Sequence, residues 1–277
     1  MNLGWALRFI GTGASNGGTL GHSAAVLERN GEPVLLIDCG QDALPRFHDT
    51  YGEWPRAIFI THVHLDHISG LEQLHGRIAL GQADPVRLYV PTPIIRQLHE
   101  RIANLPHPLA EGRKNFWDRF RFIPVAQGFW HEEHWFDVFE VRHHAPGFAH
   151  GLRLSGHFLY TGDTRPIPEV LRHYAASDER IFHDCSLKGN PSHTGLDDVQ
   201  REYEADLRDR LVLYHYESEA AAERLVEAGF SVARPGQRFM LGAARHMHAP
   251  PVLSSVPATN GSAAVAPGPD LSRRGFE

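Results

Sequence analysis

Between Ile58 and His67 the chain reads Ile-Phe-Ile-Thr-His-Val-His-Leu-Asp-His, so an apolar run ends in four metal-capable side chains within six positions. In an extended segment residues i and i+2 point to the same side. His62 and His64 can therefore converge on one cation, while Asp66 and His67, past a bend into the next helix, can face a second. Imidazoles and carboxylates suit zinc or manganese. Two such ions about 3.5–4 Å apart can share a hydroxide acidic enough to attack at neutral pH. A solvated loop with incidental histidines would explain any one of these residues more simply than it explains all four after a buried strand. The 20 histidines of the 277 residues make imidazole chemistry the first thing to trace.

The elements that position this segment follow from periodicity. Ala6 to Ile10, His22 to Glu28, Val34 to Asp38 and Ala57 to Thr61 read as strands bounded by Gly- or Pro-containing turns. Arg87 to Val90 is a further strand, and Thr92-Pro93 opens a helix whose Ile94, Ile95, Leu98 and Ile102 share a face. Strands follow at Phe136 to Arg142, Gly151 to Leu154 and Phe158 to Gly162, then a short helix at Pro168 to Tyr174 and a strand at Arg180 to Cys185. A helix from Leu196 to Leu207 has capping-box spacing in Thr194 and Asp197; Leu211 to His215, Ser218 to Ala228 and Ser231 to Ala233 complete the alternation. Strands first in meanders and then interleaved with helices imply an α/β sandwich. A domain over residues 1–244 is expected, with a Pro-, Ala- and Ser-rich tail over 245–277 that carries no apolar period and is expected to be disordered.

Composition narrows the class. There are 27 Lys and Arg against 33 Asp and Glu, a net charge of −6 with histidine neutral, which disfavours a protein built to grip polyanions. Only Cys39 and Cys185 are present, too few for a disulfide framework. Met1 to Ile10 lacks a signal-peptide pattern, and no apolar run approaches the roughly 20 residues of a membrane helix, so a soluble, cytoplasmic chain is expected. Gly11-x-Gly13 after the first strand is followed by another strand, not a helix, which removes a dinucleotide fingerprint.

His-x-His-x-Asp-His after a strand resembles the signature of the metallo-β-lactamase fold superfamily. Leu36-Ile-Asp38-Cys-Gly40, His144-Ala-Pro-Gly147, Thr161-Gly-Asp163-Thr and the His215 that closes Leu211-Val-Leu-Tyr-His resemble its remaining motifs in order. The resemblance spans about residues 6 to 241 and implies a four-layered αβ/βα sandwich. It also implies that His62, His64 and His144 hold one divalent ion, Asp66, His67 and His215 a second, and Asp163 bridges them. His143 competes with His144: if Phe139, Val141 and His143 share a strand face, His143 turns inward. His144 is preferred because it directly precedes the Pro-Gly turn. Asp38 either supports a ligand imidazole or caps a turn.

Two further stretches resemble the branch that holds ribonuclease Z and the cyclic-phosphate phosphodiesterases: Phe9-Ile-Gly11-Thr-Gly13-Ala-Ser-Asn-Gly17-Gly18, and Asp184-Cys185-Ser186 with Ser192-His193-Thr194. That likeness implies a metal-dependent hydrolase, a phosphodiesterase using two ions, zinc before manganese. A metal-bridging hydroxide would attack phosphorus, Asp66 would orient or deprotonate it, and His193 would protonate the leaving oxygen. The alternative for Ser192 or Thr194 is a helix cap, with His193 exposed. Ribonuclease Z enzymes carry a basic arm, whereas Lys114 and Lys188 are the only lysines here. Arg113, Lys114, Arg119 and Arg121 interleave with Phe116, Trp117, Phe120 and Phe122, a pattern open to base stacking or to burial. A small substrate, a cyclic nucleotide or sugar cyclic phosphate, is therefore favoured over RNA or tRNA 3′ ends. A lactone or thioester substrate would leave His193 without a role, and the complete set of ligand types argues against a metal-binding sensor or scaffold with a dead site. The loop from Pro106 to Trp135 is expected to wall the pocket, and the resemblance is compatible with a homodimer.

Overall fold

The computed structural model describes residues 4–15, 18–103, 115–176 and 178–242. Residues 245–277, together with Pro106 to Lys114, lie outside them. Two seven-stranded mixed sheets stack face to face. The first carries β1 (Trp5–Gly11), β2 (Ala24–Arg29), β3 (Glu32–Ile37), β4 (Ala57–Phe59), β5 (Val86–Pro91), β6 (Phe120–Val125) and, beside β1, β14 (Arg238–Met240). The second runs β13 (Ser231–Val232), β12 (Leu211–Tyr214), β11 (Arg180–Asp184), β10 (Phe158–Tyr160), β9 (His150–Leu154), β8 (His134–Glu140) and β7 (Gly128–His131).

Alternation along each strand makes the layers. On β1 and β2, Leu7, Phe9, Ala25 and Leu27 face the other sheet, while Ile10, Ala24 and Val26 face outward. The outward face of the first sheet is covered by α1 (Ala43–Tyr51), α2 (Leu65–Ile68), α3 (Gly70–Ala79) and α4 (Ile95–Leu98). That of the second is covered by α5 (Pro168–Tyr174), α6 (Leu196–Glu202), α7 (Ala205–Arg208) and α8 (Glu219–Glu227). This is the αβ/βα sandwich that the resemblance implies. Phe9 is fully buried against the rings of Tyr160, Phe182 and Tyr214, so truncating it to alanine would cost about 3–5 kcal/mol.

Several sequence expectations need correction. The helix read from Leu196 to Leu207 breaks at Tyr203, whose backbone is extended. Its hydroxyl is drawn inward, accepting from the Ile167 N–H at 2.8 Å and lying 2.7 Å from His183 Nε2. Neither Thr194 nor Asp197 caps α6. Thr194 Oγ1 donates to the Thr164 carbonyl, and Asp198 accepts the Gly195 N–H at the helix start. The helix opened by Thr92-Pro93 ends in a π turn over His99–Ala103. The described part of the aromatic loop, from Asn115 to Trp135, consists mostly of strands: β6 extends the first sheet, and β7 with β8 extends the second. Phe116 and Phe120 are buried in the core beneath α3 and are withdrawn from any base-stacking surface. Among the described residues no helix is long and apolar enough to cross a membrane.

Candidate metal centre

The parallel strands β3, β4, β10, β11 and β12 bring their carboxyl ends to one edge of the sandwich, the usual location of sites in open α/β sheets. Asp38 follows β3, His62 lies three residues beyond β4, Asp163 three beyond β10, Asp184 ends β11 and His215 follows β12. Asp38 and His215 both adopt left-handed backbone, with φ of 63° and 67°. Such non-glycine geometry persists only where its surroundings impose it. The Asp38 N–H donates to the Phe59 carbonyl and the His215 N–H to the Thr12 carbonyl. The turn after Asp38 approaches the histidine loop so closely that a Cβ on Gly40 would fall 2.1 Å from the Asp66 carbonyl oxygen.

Asp163 Oδ2 is the hub. The Nε2 atoms of His67 and His215 stand 3.2 Å from it, that of His62 3.6 Å and that of His143 3.9 Å. His64 joins through Nδ1, 3.2 Å from His62 Nε2 and 3.1 Å from His143 Nε2. Asp66 Oδ2 is 3.4 Å from His67 Nε2. Among the described residues four groups could each hold an ion: His62, His64, His143 and His144; Asp66, His67, Asp163 and His215; and two that include His193, one with His143 and Asp163 and one with Asp184 and His215. The structure thus brings together every residue named from the sequence as a candidate metal ligand.

The imidazoles are held in one tautomer by what they touch. His67 Nδ1 donates to Asp38 Oδ2 at 2.8 Å. Thr61 Oγ1 donates to the same carboxylate and accepts from His62 Nδ1 at 3.0 Å. His143 Nδ1 donates to the Ser192 carbonyl at 2.9 Å, and His215 Nδ1 lies 3.4 Å from Asp184 Oδ1. With Nδ1 hydrogen-bonded in His62, His67 and His143, Nε2 presents its lone pair, the arrangement that metal-ligating histidines use, whereas His64 turns Nδ1 to the cluster. Asp38 accordingly supports a ligand imidazole and also closes its turn, accepting the Thr61 N–H at 2.8 Å. His144 has its ring 4.4 Å from those of His64 and His143, but no contact fixes its tautomer among the described residues.

Charge follows the same division. Burial disfavours the imidazolium of His67, but Asp163 and Asp38 outweigh it and hold its pKa well above the ordinary value. For His215 burial is likewise outweighed by Asp163 and Asp184, giving a pKa of about 9. Burial and the neighbouring His143 push His64 down to about 4. Asp66 resists burial through its hydrogen bond to His67 and falls to about 2. Without metal, the carboxylates therefore favour charge on His67 and His215, while His64 stays neutral. The Nε2 atoms of His67 and His215 and Oδ1 of Asp163 are buried without a hydrogen-bond partner. Divalent cations would satisfy these atoms, so the residues fit the metals that the motif implies.

His193 lies beside the first two of these groups, its ring 4.8 Å from those of His143 and His215. Its Nδ1 donates to Asp184 Oδ2 at 2.8 Å. Burial opposes the charged ring, but Asp184 raises its pKa. Sequence reasoning quoted Asp184 within a motif and missed its part as the carboxylate between His193 and His215. It missed the Ser192 carbonyl and the Thr61 hydroxyl as well, since backbone and hydroxyl partners leave no spacing signal. Cys39 is buried, and burial keeps its thiol protonated. His150 and His183, surplus to the motif, are buried too, the latter bonded to Tyr203.

A family model described as Anti-Pycsar protein Apyc1 matches residues 5–239. The Anti-Pycsar protein Apyc1 of Paenibacillus xerothermodurans is 27% identical over 223 residues, covering 77% of this chain and 88% of that one. Among solved structures, a diphosphatase from the PhnP family superposes with a TM-score of 0.66 at 18% identity, covering 86% of this chain and 100% of that one. The metallo-β-lactamase fold protein YhfI from Bacillus subtilis superposes with a TM-score of 0.64 at 14% identity, covering 86% and 99%. These likenesses settle the fold as that of the metallo-β-lactamase superfamily. With the match spanning nearly all of both sheets, the chain belongs to the family described as Anti-Pycsar protein Apyc1.

Proposed function

We propose that this metal-dependent hydrolase cleaves a small cyclic phosphodiester, with cyclic nucleotides ahead of sugar cyclic phosphates, at a dinuclear centre. His62, His64 and His143 would hold one ion, Asp66, His67 and His215 the other, and Asp163 would lie between them. His143 replaces His144 in this set because its Nδ1 is tied to the Ser192 carbonyl and its Nε2 faces Asp163. Zinc suits this imidazole-rich set, with manganese as the alternative. When bound, the two cations supply neutralisation of phosphoryl charge and acidification of water.

The observation that carries the reading is His193, pinned by Asp184 beside the two four-residue ligand groups. With Nδ1 committed to the carboxylate, Nε2 is the nitrogen left to deliver a proton. As water attacks phosphorus in line and the ester P–O bond breaks, His193 protonates the departing alkoxide. Asp66, ionised even at low pH, orients the attacking water. A thioester would expel a thiolate, which needs little help from an acid, whereas a lactone also expels an alkoxide and is separated from a phosphodiester by the assay below.

The deciding assay offers the zinc- or manganese-loaded protein bis-p-nitrophenyl phosphate, the 3′,5′-cyclic nucleotides of all four bases, a tRNA precursor and a lactone. Turnover of the small phosphodiesters is expected; processing of the tRNA precursor alone, or of the lactone alone, would overturn the reading. Light scattering on the same sample checks the homodimer with which the resemblance is compatible.

A further inference from the structure

The turn after β1 meets the metal centre at one atom. The Thr12 carbonyl oxygen accepts the His215 N–H at 2.8 Å, at a residue whose φ of 67° persists only under outside support. Outside the four ligand groups, a further histidine–carboxylate pair sets that turn. His22 Nδ1 donates to Asp42 Oδ1 at 2.7 Å, and the His22 backbone N–H reaches the same oxygen at 3.2 Å. His22 Nε2 stands 3.2 Å from the Ser15 carbonyl oxygen. A carboxylate and a carbonyl can only accept, so both ring nitrogens donate and the ring is an imidazolium. The bond to Asp42 favours that form, raising the His22 pKa against the effect of burial. Asp42 precedes α1, and its Oδ2 lies 3.1 Å from Arg46 Nε. The Arg46 guanidinium donates to the Ile10 carbonyl at 3.4 Å and to the Thr19 carbonyl at 3.1 Å, one on each limb of the turn.

Close approaches on two sides fix where His22 sits. Gly21, at a φ of 69°, packs on the Asp42–Arg46 pair, where a Cβ would fall 2.5 Å from Asp42 Oδ2. A Cβ on Gly40, the glycine that abuts Asp66, would fall 2.8 Å from His22 Cβ. The Thr12 and Gly13 N–H groups bond to the Leu20 and Gly21 carbonyls, and the Gly13 carbonyl accepts from Ser23. A shift at His22 is therefore carried by the backbone to Thr12.

We propose that His22 is a positioning residue for the ion assigned to Asp66, His67 and His215. By tying Asp42 to the Ser15 carbonyl, its ring fixes the turn that presents the Thr12 oxygen. That oxygen holds the His215 backbone in the left-handed form from which Nε2 reaches Asp163. His22 acts through the backbone and not as a ligand, so its loss is felt in the affinity of one ion. The inference rests on the dinuclear reading above.

The test measures zinc binding by the full chain, in equilibrium dialysis against zinc buffers, for the parent and for His22→Ala, His22→Asn and His22→Gln. Cobalt-loaded samples report ligand geometry by visible absorption, and melting curves report stability. Partners that orient a ligand imidazole are worth about 10–100-fold in metal affinity; His22 acts one link farther out, so His22→Ala should weaken one zinc affinity about tenfold and leave the other within about twofold. The cobalt spectrum should change with it. Asparagine carries an amide N–H near the place of Nδ1, keeps the bond to Asp42 and should restore part of the loss; glutamine, which gives that bond up, should restore less. Two parent-like affinities in His22→Ala, or equal weakening of both ions together with a fallen melting temperature, would overturn the proposal. Should His22→Ala fail to fold, the asparagine and glutamine variants decide, and parent-like affinities in both would overturn it. A parent that takes up fewer than two ions defeats the dinuclear reading and this proposal with it, an outcome distinct from a two-ion parent and an indifferent His22→Ala.

Discussion

Asp38→Asn is a nearly isosteric change, and the site makes its effect calculable. Asp38 Oδ1 accepts the Thr61 N–H, while Oδ2 accepts from both Thr61 Oγ1 and His67 Nδ1, each at 2.8 Å. An asparagine has a single oxygen for these donors. If that oxygen stays on the Thr61 N–H, the amide NH2 faces His67 Nδ1, which must then accept. The ring proton moves to Nε2, the nitrogen 3.2 Å from Asp163 that would ligate. If the amide turns over, donor meets donor at Thr61 inside a fully buried site, at a cost of about 1–3 kcal/mol. The backbone is indifferent, because asparagine tolerates the left-handed φ of 63° at least as well as aspartate. Removing a partner that orients a ligand histidine weakens metal binding about 10–100-fold, or about 1.4–2.8 kcal/mol. The ion lost should be the one held by Asp66, His67 and His215, since Asp38 touches His62 only through the Thr61 hydroxyl. Equilibrium dialysis against zinc buffers, followed by elemental analysis, reads both affinities. Parent-like affinity for both ions, in a variant whose melting curve and circular dichroism match the parent's, would refute the tautomer argument.

His193→Ala should retain its metals and slow the hydrolysis of poor leaving groups about 10²-fold or more, with a smaller effect on p-nitrophenyl esters, whose leaving group needs no proton; equal losses on both would remove His193 as the donor. Because Asp184 raises the pKa of His193, the donor is protonated below that pKa and activity falls as pH rises through it; in Asp184→Asn the alkaline limb of kcat/KM should move to lower pH, and an unmoved limb would count against the pairing. Gly40→Ala, whose Cβ would fall 2.1 Å from the Asp66 carbonyl, should lose metal and stability together, while a parent-like melting temperature would contradict the close approach. In the metal-free protein the pKa of His215 is raised to about 9, so its stabilising contribution is complete below an unfolded histidine pKa near 6.5 and is lost as pH rises toward 9. Calorimetric scans of the apo protein should therefore show a melting temperature that falls across that window, whereas in zinc the trend should flatten, since metal displaces those protons.

Much of the site was legible because its ligands sit at strand ends, where chain order and residue type constrain geometry. Ile58-Phe-Ile before His62 announced a buried strand, and the i, i+2 rule put His62 and His64 together. The same rule, carried along Phe139, Val141 and His143, pointed inward to His143, while the Pro-Gly turn argued for His144. In the structure the Val141 N–H still pairs with the Ala149 carbonyl, and both His143 and His144 lie in the imidazole group with His62 and His64. Tyr203 hid a helix break, since its apolar ring fits the helical stripe while its hydroxyl seeks buried partners. The strands between Asn115 and Trp135 are hard to read because β6 alternates irregularly around Pro124, while β7 alternates, with Phe129 and His131 buried and Trp130 exposed, over only four residues. The helix over Ala43–Tyr51 gave little warning, having Pro45 in its first turn and no side-chain cap.

The residues around Asp163 are drawn from both leaves of the sandwich. One leaf contributes the loop after β4, and the other contributes the ends of β8, β10 and β12. Bound cations would act as a clasp along one open edge, so the two halves of the chain become mechanically joined where their hydrophobic contact is interrupted by polar groups. A chain cut within the exposed turn between Glu132 and Glu133 would then be expected to come apart at lower denaturant in chelator than in zinc, making cohesion itself a gauge of occupancy.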